Sequence, residues 1–66
     1  GPLAVLTARE HDVLRQLAIG RTNKEIARAL AISDRTVQHH TISIYRKLGI
    51  DTRAAAALLA ARHGLV

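Results

Sequence analysis

The sequence predicts an all-α domain, and three observations carry that prediction. The hydrophobic set, 48% of 66 residues, consists of 12 Ala, 9 Leu, 6 Ile, 4 Val and the lone aromatic Tyr45, a palette that favours helix over strand. Helix-starting residues (Thr7, Thr22, Ser33 and the pair Asp51-Thr52) recur along the chain, and glycines or short breaks follow each segment. Between them the apolar residues repeat at three- and four-residue intervals, the period of a helix with one buried face.

Thr7-Ala8-Arg9-Glu10 has the spacing of a capping box, in which the Thr hydroxyl accepts from the Glu10 N–H and the Glu carboxylate reaches back to the Thr N–H. The first helix therefore starts at about Ala8, turns Val13, Leu14, Leu17 and Ala18 inward, and ends at Gly20. Capping alone accounts for Glu10, as it does for Glu25. Thr22-Asn23-Lys24-Glu25 repeats the box for a second helix over about 23–30, with Ile26, Ala27 and Leu30 on one face. Ala31-Ile32-Ser33 is a break. Ser33 caps a third helix over about 34–48, whose core stripe is Val37, Thr41, Ile44 and Leu48. Gly49 ends it, Ile50 plugs the corner, and Asp51 or Thr52 caps a fourth helix over about 53–63. The opening Gly1-Pro2 has the look of a remnant left by tag cleavage, so the domain is expected over 3–66.

Lys and Arg number 10 against 5 Asp and Glu, a formal charge of +5, and the excess lies after residue 20. A basic domain of this size points to a polyanion, nucleic acid before membrane surface. No apolar run approaches the roughly 20 residues of a membrane span, so the chain is expected to be soluble and, lacking Cys, cytoplasmic. Four short helices leave no space for a pocket with convergent polar groups, which argues against an enzyme and against a cofactor. His39 and His40 are adjacent, so they point about 100° apart on a helix and do not form a metal pair. His40, one step from the core stripe, is expected to pack and hydrogen-bond, and Tyr45 to lie at the domain edge. Arg53, a cation at a helix start, is expected to pair with a carboxylate or touch DNA.

A short helix, a three-residue turn and a longer helix have the spacing of a helix-turn-helix. Opposite the core stripe of the third helix lies a row of Arg35, Gln38, His39, Ile42 and Arg46. The first turns of the second and third helices offer backbone N–H groups beside Thr22, Asn23, Lys24, Arg35 and Thr36, an arrangement suited to phosphate oxygens. Arg46 and Lys47 extend that phosphate set at the far end of the third helix. The fourth helix is apolar nearly all round: Ala56, Ala57 and Ala60 can face the core, while Ala55, Leu58, Leu59 and Arg62 form a second stripe.

Leu6-Thr7-x-Arg9-Glu10-x-x-Val13-Leu14, Ala18-x-Gly20-x-Thr22-Asn23-Lys24-Glu25-Ile26-Ala27-x-x-Leu30, Ile32-Ser33-x-x-Thr36-Val37-x-x-His40 and Lys47-Leu48-Gly49-Ile50-x-x-Arg53 together resemble the LuxR-type helix-turn-helix DNA-binding domain. The resemblance covers essentially the whole chain, in order and without a gap. It implies a four-helix output domain of a bacterial transcription regulator, with a recognition helix at Asp34 to Leu48, and a receiver or other sensory region upstream. It further implies binding of two-fold sites in double-stranded DNA as a homodimer paired through the last helix, at Ala55, Leu58, Leu59 and Arg62. Base-edge contacts fall by resemblance on Gln38, His39 and Ile42, where Gln38 and Ile42 depart from the more basic residues usual in the family. The competing reading is a helical interaction or oligomerisation module built on the fourth helix.

Overall fold

The computed structural model describes all 66 residues and contains four α-helices and no strand. These are α1 (Ala8–Ala18), α2 (Asn23–Leu30), α3 (Asp34–Leu48) and α4 (Arg53–Arg62), preceded by a 3-10 turn at Pro2–Val5. The expected elements are present, α4 ending one residue early. Both capping boxes are formed: Thr7 and Glu10 exchange bonds of 2.8 and 3.1 Å, Thr22 and Glu25 of 2.8 and 3.2 Å. Ser33 Oγ accepts from the Thr36 N–H at 3.0 Å. The undecided cap of α4 is Thr52, whose hydroxyl accepts from the Ala55 N–H at 3.1 Å.

All four helices end in the same way. In each, a left-handed residue follows the helix, and the next N–H turns back to a carbonyl five residues earlier: Arg21 to Gln16, Ile32 to Ala27, Ile50 to Tyr45 and Leu65 to Ala60. Gly20, Gly49 and Gly64 fill three of the left-handed positions. Ala31, at φ 57°, fills the fourth and carries the steric cost of its Cβ within the turn between α2 and α3. In exchange, Ile32, Ile50 and Leu65 are aimed back onto the core.

The core lies where α1 meets the other elements. Val13, Leu14 and Leu17 of α1, Ile26 and Ala27 of α2, Val37 and Ile44 of α3, and Ala56 and Ala60 of α4 are buried together. The α4 alanines let that helix lie close along α1, its main partner. Ala18, Leu30, Tyr45 and Leu48 close the margins. Thr41, placed in the stripe as if apolar, satisfies its hydroxyl on the Val37 carbonyl at 3.0 Å. Ala57 is only half-buried. Pro2 opens the 3-10 turn, which delivers Leu3 and Leu6 into the core. No helix is long and apolar enough to cross a membrane.

Candidate nucleic-acid interface

With Val37 and Ile44 fixed in the core, the helical period turns the opposite face of α3 outward. Arg35, Gln38, His39, Ile42 and Arg46 are all exposed. The row runs the length of a 15-residue helix, roughly 22 Å at 1.5 Å per residue. It carries two cations, an amide, an imidazole and one aliphatic side chain. None of the side-chain hydrogen bonds or ion pairs within the chain uses any of these five residues, so their polar groups face water.

At the starts of α2 and α3 the caps leave two backbone N–H groups on each helix without an acceptor, at Asn23 and Lys24 and at Asp34 and Arg35. The Thr22 hydroxyl oxygen accepts from the Glu25 N–H at 3.2 Å in its cap. The Thr36 hydroxyl lies 2.9 Å from Ser33 Oγ. Backbone and side-chain bonds from Thr22, with help from the nearby Arg21 and Arg28, outweigh the small opposing effect of burial and lower the pKa of Glu25. Lys24 is exposed and Asn23 half-buried.

Arg53 does not pair with a carboxylate. Its guanidinium donates to the Arg21 carbonyl at 2.7 Å and to Asn23 Oδ1 at 3.0 Å. While still exposed, it braces the start of α4 against the start of α2. Because Asn23 Oδ1 accepts there, the amide nitrogen of Asn23 is the end left for another partner. Nothing local in the sequence signals this, since the acceptors are a backbone carbonyl and an amide some 30 residues away.

Lys47, expected among the phosphate contacts, is bound to an acidic side chain of α1. Its ammonium lies 2.8 Å from Glu10 Oε1, while Ser43 Oγ donates to Glu10 Oε2 at 2.5 Å. Glu10, 4% exposed, is the one buried charged residue and does far more than cap α1: it ties α1 to two successive turns of α3. Burial pushes its carboxyl upward, but hydrogen bonds from Lys47, Ser43 and the Thr7 backbone, with the Lys47 charge, prevail and bring its pKa to about 2. His40 is half-buried as expected but makes no side-chain hydrogen bond. On α4, Leu58 is 59% exposed and Arg62 exposed, with Ala55 and Leu59 half-buried.

A short capped helix, a three-residue turn and a longer helix with one face on the core and the other wholly in solvent define a helix-turn-helix domain. The chain belongs to the luxR family of bacterial regulatory proteins, whose family model matches residues 4–60. It is 50% identical over 58 residues to the nitrate/nitrite response regulator protein NarP of Escherichia coli, covering 88% of this chain and 27% of that protein. It is 48% identical over 60 residues to the transcriptional regulatory protein YhcZ of Bacillus subtilis, covering 91% of this chain and 28% of YhcZ. With the transcriptional regulatory protein MctR of Rhizobium johnstonii the identity is 44% over 61 residues, 92% of this chain and 28% of MctR. The chain thus spans a little over a quarter of the length of these relatives.

Proposed function

We propose that this domain binds double-stranded DNA sequence-specifically, with α3 in the major groove, as the output domain of a cytoplasmic bacterial transcription regulator. The observation that carries the reading is the outward face of α3, where five residues able to meet DNA are exposed while the opposite face is locked into the core. A major groove about 12 Å wide admits one helix and presents donors, acceptors and thymine methyls to it. Gln38, His39 and Ile42 read base edges. Thr22, Asn23, Lys24, Arg35, Thr36 and Arg46 hold phosphates, and the free N–H groups at the starts of α2 and α3 supplement them. Lys47, bound to Glu10, serves placement of the helix ahead of phosphate contact.

Pairing of two copies through α4, at Ala55, Leu58, Leu59 and Arg62, would present two recognition helices to a two-fold site. The exposed Leu58 supports it. The patch is small and rich in alanine, so it offsets the entropy of association poorly in the free domain and acts when both copies lie on DNA. A sensory or receiver region elsewhere in the parent protein controls the pairing. Selection of binding sites from a library of random duplexes tests the reading: it predicts recovery of two-fold sites, and recovery of unrelated sequences at background level contradicts it.

A further inference from the structure

Among the exposed residues of the α3 row, Ile42 is the one whose presence the fold does not explain. It is 49% exposed and belongs to no part of the core. Helix propensity does not ask for it either, because a β-branched side chain is poorer in a helix than the straight-chain residues suited to a wet surface. Its neighbours along the face are Gln38 and His39, one turn before, and Arg46, one turn after, all polar and all exposed.

Building on the proposed seating of α3 in the major groove, we infer that Ile42 is a specificity-determining residue that packs on the 5-methyl group of a thymine. That methyl is the one apolar group a base edge shows in the major groove. The chemistry of the side chain suits it. In a helix the isoleucine χ1 is nearly fixed, so its methyls are held in place before binding and little rotamer freedom is lost on contact. Four residues of helix separate Ile42 from Gln38, about 6 Å, which is roughly two base-pair steps of 3.4 Å. The thymine therefore lies within about two base pairs of the base read by Gln38. Gln38 offers an amide that both donates and accepts, the pattern matching adenine N6 and N7.

The test uses the domain with the duplex it selects, replacing each thymine singly by deoxyuridine, which removes the methyl and keeps base pairing. At one thymine in each half-site the wild type should bind about fourfold more weakly, the worth of one methyl group withdrawn from contact. Ile42→Ala, on an exposed helix position that favours alanine, should remain folded by circular dichroism and bind the thymine and deoxyuridine duplexes equally. The same loss at that thymine in wild type and Ile42→Ala, or no sensitive thymine at all, overturns the role given to Ile42. A wild-type domain that selects no duplex would instead overturn the seating of α3 on which this inference rests.

Discussion

The Glu10 carboxylate and the Lys47 ammonium meet at 2.8 Å across 37 positions of chain, joining the first turn of α1 to the last turn of α3. With Ser43 bound to the other carboxylate oxygen, Glu10 grips α3 at two points four residues apart. The axial position of α3 is thereby set by a polar contact as well as by the packing of Val37 and Ile44.

This contact predicts an acid-labile component of stability. The Glu10 carboxyl ionises at about 2 in the folded protein against an ordinary 4.5. A folded-state pKa below the unfolded one gives stability that is complete above pH 4.5 and is lost as pH falls toward 2. Allowing for screening by water at the domain edge, its worth at neutral pH is on the order of 2 kcal/mol. Urea titrations of wild type and Glu10→Gln between pH 2 and 7 check this. The two stability curves should converge in acid, and a constant offset at every pH would be the wrong outcome.

Arg46 and Lys47 are adjacent cations with opposite assignments. Lys47→Met should lower stability by about 1–2 kcal/mol, because it strips the main partner from a buried carboxylate. Where binding of the folded variant is measured, the dependence on salt should be unchanged. Arg46→Ala should leave stability within about 0.5 kcal/mol and make the log–log salt slope shallower by about one for each bound copy. Thermal unfolding and salt titration of both variants separate the two roles.

Ala31 holds a left-handed conformation in which its Cβ is strained. Ala31→Gly should stabilise the domain by about 0.5–1 kcal/mol, the relief of strain exceeding the added freedom of the unfolded chain. In a domain of this size that is a rise of a few degrees in melting temperature. Ala31→Val should lower it, and calorimetry of both variants decides.

Much of this fold was legible because the signals that specify it are local. A Thr and a Glu three residues apart define each capping box, and the i, i+4, i+7 stripe of α3 also dictates which residues face outward. Other features depend on distant partners or silent positions. Glu10 satisfies a complete capping box, so nothing in its neighbourhood advertises Ser43 and Lys47, 33 and 37 residues away. Arg53 finds acceptors that carry no charge. Ala31 adopts a conformation that glycine signals and alanine does not, and the 3-10 turn carrying Leu3 is too short to show a period.

Gln38 tests how the base sequence is read. Gln38→Ala should lose about 1–3 kcal/mol on the selected site and relax the base preference at that position. Gln38→Lys should bind random duplex more tightly and steepen the salt slope by about one for each bound copy. Competition binding against single-base variants of the site measures both. Wild-type affinities for Gln38→Ala across those variants would reduce Gln38 to a solvated surface residue.

The central claim is that this basic helix face engages the phosphates and bases of duplex DNA, and the salt dependence of binding tests it most directly. With three to four phosphates neutralised by each of two copies, and about −0.9 per contact, log Kobs against log salt should fall with a slope between about −5 and −7. A slope near zero would contradict the account, since an apolar interface through α4 responds little to ionic strength.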